Sequence, residues 1–289
     1  MSGDSHLERA ARSAAGLSRD LKPRIISGLL LAALALGLTY AGSVTFALLV
    51  IPIALVMCWE WGHVVRGEQL DATFAIHAGT VALAMLLAAM GFAALGVLLL
   101  LIGAILVLLL QFSEGGRLSA LGVPYVGVPA IALLWIRGDE PYGFAAVLFL
   151  LLVVWATDTF AYFGGRSIGG ARLWPRVSPN KTWAGFVSGI TAGTLVGALF
   201  AFFVADASHS GLALTALVLA VVSQAGDLAE SALKRGFGVK DASTLIPGHG
   251  GFLDRMDGIV FAATAAALLC LYADLQSPAR ALLFGLQVS

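Results

Sequence analysis

Of the chain's 289 residues, 59% are hydrophobic and only 12% are charged, with a mean hydropathy of +0.92, which excludes an ordinary water-soluble domain. Seventeen basic and 17 acidic residues cancel, so the overall charge offers nothing to a nucleic acid. Cys58 and Cys270 sit in apolar runs without a CxxC or a histidine partner, which argues against both a disulfide framework and a zinc site.

In chain order, residues 1–24 form a polar, slightly basic tail. The apolar run that follows is too long for a signal-peptide core and is expected to be an uncleaved first span. A helix needs about 20 apolar residues to cross a hydrocarbon core. Nine spans are predicted, near residues 25–42, 44–59, 73–90, 92–112, 123–137, 142–163, 183–205, 211–226 and 258–275. The predicted fold class is an all-α integral membrane protein of about nine transmembrane helices. Its organisation reads as a tail (1–24), amino-terminal transmembrane helices (25–140) and a carboxyl-terminal catalytic domain (141–289).

The basic residues fix an expected orientation. With the amino terminus in the cytoplasm, the inner segments hold Arg9, Arg12, Arg19, Lys22, Arg24, Arg66, Arg117, Arg166, Arg172, Arg176, Lys181, Lys234, Arg235, Lys240 and Arg255. Only Arg137 and Arg280 fall outside, two of 17. The positive-inside rule therefore predicts a cytoplasmic amino terminus in a multi-pass protein of the cytoplasmic membrane.

The first half carries almost no chemistry. His63 and His77 lack metal-ligand spacing and read as surface or packing residues. The second half is interrupted by two polar stretches, 157–181 and 226–257, both facing the cytoplasm in this topology. Between them Gly185, Gly189, Gly193 and Gly197 recur every four residues on one helical face. Small residues at that spacing support close helix packing in lipid, and both a seam within the chain and a dimer seam fit.

Asp158 and Asp227 each follow apolar residues abruptly, and a carboxylate at membrane depth costs several kcal/mol unless it is paired. Asp227, Glu230, Ser231 and Lys234 are spaced to share one helical face. Downstream, Gly250 and Gly251 precede Asp254, Arg255 and Asp257, so a helix opening there would offer backbone amides and a favourable dipole to an anion. Mg²⁺ is usually held by one or two carboxylates plus substrate phosphates; Asp227 and Asp254 suit that role. Lys181, Lys234, Arg235, Lys240 and Arg255 would neutralise phosphate groups, with Arg166, Arg172 and Arg176 as weaker candidates.

The stretch Ser231, Leu233, Lys234, Arg235, Lys240, Asp241, Ser243, Ile246, Pro247, His249, Gly250, Gly251, Asp254, Arg255 and Asp257 resembles the signature of phosphatidate cytidylyltransferases. The upstream pieces TDTFAYFGGR, SPNKTW and QAGDLAES are also similar to members of that family. The resemblance is concentrated in the carboxyl-terminal half. It implies transfer of a cytidylyl group from CTP to phosphatidic acid, yielding CDP-diacylglycerol and pyrophosphate. It also implies Mg²⁺, allows K⁺ beside it, and makes a homodimer a common assembly. Catalytic roles are expected for Asp227, Asp254, Lys234 and Asp257, with Asp227, Asp254 and Asp158 as metal ligands. Substrate contacts are expected from Ser178, Lys181, Ser231, Arg235, Lys240, His249, Gly250, Gly251 and Arg255. The alternatives are a cytidylyltransferase or CTP-dependent kinase acting on another membrane lipid, and a transporter. No GxxxxGK[ST] occurs, so a P-loop enzyme is disfavoured.

Overall fold

The computed structural model describes residues 28, 30, 32–67, 70–111, 116–245 and 250–285. Residues 32–40 are helical. The helices that follow are α1 (Ser43–Arg66), α2 (Ala72–Ala89), α3 (Ala93–Leu110), α4 (Gly116–Arg137) and α5 (Gly143–Ile168). A short hairpin, β1 (Arg172–Trp174) and β2 (Ser178–Thr182), leads to α6 (Trp183–Phe200), α7 (His209–Gly236), α8 (Leu253–Ala273) and α9 (Pro278–Phe284).

Eight helices among the described residues, α1 to α8 with a short extension of α6, are long and apolar enough to cross a membrane. They correspond to the second through ninth predicted spans; the first, 25–42, is described at 28, 30 and 32–42 and is helical over 32–40. The chain is an all-α integral membrane protein. Exposed Leu, Ile, Val and Phe side chains cover its outer surface, as hydrocarbon contact requires.

Local chemistry sets the helix ends. Asp71, Thr182 and Ser208 cap α2, α6 and α7 by accepting from Phe74 N, Gly185 N and Gly211 N at 2.6, 3.1 and 3.2 Å. The polar stretches do not begin where the apolar runs stop. Helix α5 continues through Asp158 to Ile168, and α7 continues through Asp227 to Gly236. Their polar ends are thus helical walls, because i to i−4 hydrogen bonding carries the backbone on regardless of side-chain polarity.

Helices α1 to α4 pack as one group and α5 to α8 as another, joined chiefly where α4 meets α8. Tyr125 and Phe261 meet edge-to-face across that seam, with centroids 6.2 Å apart. In the second group the glycine stripe of α6 is buried against α5 and α7. A Cβ at Gly189 would lie 2.6 Å from Thr157 O, and one at Gly197 would lie 2.3 Å from Ala216 Cβ. The stripe is therefore a seam within the chain. It holds α5 and α7, which carry Asp158 and Asp227, against α6, which directly follows the strand that carries Lys181.

Candidate active site

Asp227, Glu230, Ser231 and Lys234 share one face of α7, and that face meets the first turn of α8. Lys234 Nζ lies 3.0 Å from Glu230 Oε1, one turn back, and also hydrogen-bonds Asp254 Oδ1. Both Glu230 and Lys234 are buried, at 1% and 8% exposure, so each charge depends on the other. The second oxygen of Asp254, Oδ2, accepts from Ala242 N and Gly251 N, both at 2.9 Å. Asp254 thereby ties α7, the segment after it and the start of α8 into one unit.

A second ion pair lies alongside. Lys181, on β2, approaches Asp227 Oδ2 to 2.5 Å, and Ser231 Oγ lies 3.5 Å from Asp227 Oδ1. Asp158 on α5 interacts electrostatically with Asp227, Lys181 and Arg255. Asp257 on α8 interacts with Asp227, Glu230 and Asp158. Carboxylates from three helices thus gather around two lysines. Gly226 makes room for this, since a Cβ there would lie 2.7 Å from the Phe261 ring and 2.8 Å from Asp257 O. The close approach of α8 to α7 sets Asp227 beside Asp257.

The other predicted residues are placed less centrally. Ser178 is half-buried at the register position opposite Trp174. Arg235 and Lys240 are exposed, and Arg235 Nη1 donates to Val239 O at 3.3 Å. Arg255 is exposed on the first turn of α8. Arg172 braces the hairpin through Pro179 O at 2.5 Å, and Arg166 contacts Tyr162 Oη at 3.1 Å. His249 lies outside the described residues.

The Gly250–Gly251 turn serves a purpose that sequence reasoning missed. Its neighbouring amides, expected to face an anion, face the protein's own carboxylates. Gly251 N donates to Asp254, while Phe252 N and Leu253 N donate to Glu60 Oε1 and Oε2 at 3.0 and 2.6 Å. Ser243 Oγ donates to Glu60 Oε1 at 2.6 Å. Gly250 has φ +83°, and a Cβ on Gly251 would lie 2.3 Å from Glu60 Oε1. One glycine supplies a left-handed turn and the other lets a carboxylate rest against the backbone. Glu60, on α1, is fully buried. No local pattern marks it, because its donors come 183 to 193 positions later.

Tyr125 on α4 adds a polar group at the seam. Its ring packs on Trp61 with centroids 4.7 Å apart, its hydroxyl is buried, and it interacts electrostatically with Glu230, Asp257 and Asp227. Among the described residues, no three His, Cys, Asp or Glu side chains are arranged as a ready-made metal cage. The arrangement suits a hard cation that takes one or two carboxylates and completes its shell with phosphate and water. Asp227, flanked by Asp158 and Asp257, offers that donor set. Asp254 has both oxygens engaged within the protein.

Acids and bases are thus collected at one end of an apolar, membrane-type helical bundle, an arrangement chemically suited to anionic groups. The chain belongs to the Cytidylyltransferase family, whose profile matches residues 22–273. It is 43% identical over 254 residues to a phosphatidate cytidylyltransferase of Brucella abortus, covering 88% of this chain and 93% of that protein. It is 34% identical over 257 residues to the phosphatidate cytidylyltransferase of Bacillus subtilis, covering 84% and 94%. A Staphylococcus haemolyticus protein of the same name is 43% identical over 142 residues, 49% of this chain and 54% of that protein.

Proposed function

We propose that this chain is a CTP:phosphatidate cytidylyltransferase that makes CDP-diacylglycerol and pyrophosphate for phospholipid biosynthesis. The observation that carries the reading is the pairing of Lys181 with Asp227 beside the pairing of Lys234 with Asp254. Lys234 and Asp254 come from the stretch that resembles the family signature, and Lys181 and Asp227 from the upstream pieces SPNKTW and QAGDLAES.

One phosphatidate oxygen attacks the α-phosphorus of CTP in line. The new P–O bond forms as the bond to the β-phosphate breaks, and pyrophosphate leaves with the electron pair. A phosphomonoester has its second pKa near about 6, so the nucleophile is ionised at neutral pH without a strong base. Lys181 and Lys234, with the exposed Arg235, Lys240 and Arg255, offset the repulsion between two polyanions. The hydroxyls of Ser178 and Ser231 supply hydrogen bonds, and His249 is assigned the same task. Asp227, with Asp158 and Asp257 beside it, is the set that would hold Mg²⁺, with K⁺ as a companion; Asp254, whose oxygens are taken by Lys234, Ala242 N and Gly251 N, would join it only by giving up one of those bonds. When bound, the ion would screen phosphate charge and stabilise that developing in the transition state.

The membrane setting suits the substrates, because the lipid headgroup lies at the interface while CTP arrives from water. The described basic residues support a cytoplasmic site, since all but Arg137 and Arg280 lie at its end of the bundle. That orientation, the cytoplasmic membrane and a homodimer belong to this proposal. Purified protein given labelled CTP, Mg²⁺ and a panel of lipid acceptors is expected to label phosphatidate, and chelation by EDTA is expected to stop it. Labelling of a polyprenyl phosphate in preference to phosphatidate would overturn the substrate assignment.

A further inference from the structure

We infer that Glu60 is a positioning residue for the transfer site, its carboxylate holding the first turn of α8 and the segment around Ser243 in the register that places Asp254 and Asp257. The inference rests on the function proposed above.

The physical case begins with burial. Glu60 is 0% exposed, and a buried carboxylate is tolerated only where donors replace its water. Its donors among the described residues are Ser243 Oγ, Phe252 N and Leu253 N. Two of them are amides at the start of a 21-residue helix, where the positive end of the helix dipole favours negative charge. Helix α8 has no side-chain cap from its own N-cap residue, Phe252. Glu60 serves from another helix as the missing cap.

Its reach extends into the site. Glu60 takes the amides of residues 252 and 253, and Asp254 takes that of Gly251. The two carboxylates grip adjacent amides of one turn, and Asp254 continues to Lys234 and from there to Glu230. Helix α1 is itself anchored next to Glu60, since Trp61 Nε1 donates to Leu118 O at 2.9 Å. Displacing the first turn of α8 therefore displaces Asp254 and Asp257 together. Reacting groups misplaced by about 1 Å can lose 100-fold in rate.

Glu60→Gln keeps the size of the side chain but replaces one acceptor oxygen with an amide nitrogen that cannot receive a backbone N–H. In full-length detergent-purified protein with unchanged near-UV circular dichroism, kcat is expected to fall about 10- to 100-fold with KM for CTP nearly unchanged. Amide hydrogen exchange in 242–245 and 250–254 is expected to accelerate about tenfold while other helices keep their protection. Wild-type kcat despite faster exchange would reduce Glu60 to scaffold, and a loss of kcat with unchanged exchange would remove the clamp; either overturns the inference. If Glu60→Gln does not fold, Ser243→Ala removes one donor and is expected to move both readouts in the same direction; wild-type values for both would overturn the inference. If wild-type protein transfers nothing from CTP to phosphatidate, the proposed function fails and the clamp is judged by exchange alone. Acceleration confined to those segments then upholds it, and uniform exchange overturns it.

Discussion

Lys181 and Asp227 meet at 2.5 Å, joining a two-stranded hairpin to the last third of a transmembrane helix. The hairpin is otherwise a surface feature, with Trp174, Pro175 and Arg176 exposed. The ion pair is what brings it to the carboxylates. Asp227→Asn is expected to lower turnover by about 100-fold or more, the scale of losing a principal electrostatic group. Lys181→Met is expected to raise KM for CTP and lower kcat together. Initial rates of CDP-diacylglycerol formation from labelled CTP check both, and near wild-type turnover in Asp227→Asn would remove that carboxylate from the mechanism.

Lys234 is the hinge of the charge network, shared by Glu230 and Asp254. Lys234→Met leaves two carboxylates without their cation and is expected to cost about 3–5 kcal/mol of stability. Glu230→Gln keeps the Lys234–Asp254 pair and is expected to cost less. Thermal unfolding of the two variants in one detergent tests the order, and a reversed order would show that the network is held by other contacts.

Much of this was legible in the sequence. Apolar run length gave eight spans that the structure matches, and the spacing of Asp227, Glu230, Ser231 and Lys234 gave their common face. The glycine stripe was visible, but its partner was not, because whether Gly189 meets Thr157 or a second copy depends on three-dimensional packing. Glu60 was invisible for the same reason, with every donor more than half the chain away. The hairpin escaped because its strands are three and five residues long, too short for alternation to register.

The glycine seam predicts a contrast between two substitutions. At Gly189 a Cβ would lie 2.6 Å from a backbone oxygen, while at Gly236 nothing lies within 4 Å. Gly189→Ala is expected to destabilise by about 1–3 kcal/mol, as overpacking does. Gly236→Ala, at the last turn of α7, is expected to be neutral or to stabilise by up to about 1 kcal/mol through helix propensity. Unfolding midpoints of the two proteins distinguish them. Equal effects would mean that the seam yields without cost.

Asp71 provides a pH test away from the site. Partial burial opposes its ionisation, but the Phe74 amide and the Arg66 guanidinium outweigh that and hold its carboxyl below the usual carboxylate range. A depressed carboxyl stabilises the fold above its unfolded pKa of about 3.9, and that contribution disappears as pH falls through the folded value. Asp71→Asn keeps a capping side chain and loses the ion pair. The wild-type advantage is expected to be full near neutrality and to shrink below about pH 4. An advantage independent of pH, measured by thermal unfolding, would assign it to capping alone.

Helix α3 meets its neighbours through a narrow stripe of Gly96, Leu100, Gly103 and Val107 and presents leucine and isoleucine elsewhere. Its 18 residues measure about 27 Å end to end, with Phe92 and Gln111 at its two caps. The molecule therefore carries a built-in gauge of bilayer thickness. In vesicles of long-chain lipid the surrounding leaflets must pinch around this helix or the helix must change its tilt, so catalytic output should vary with the chain length of bulk lipid even when the substrate's own tails are held constant.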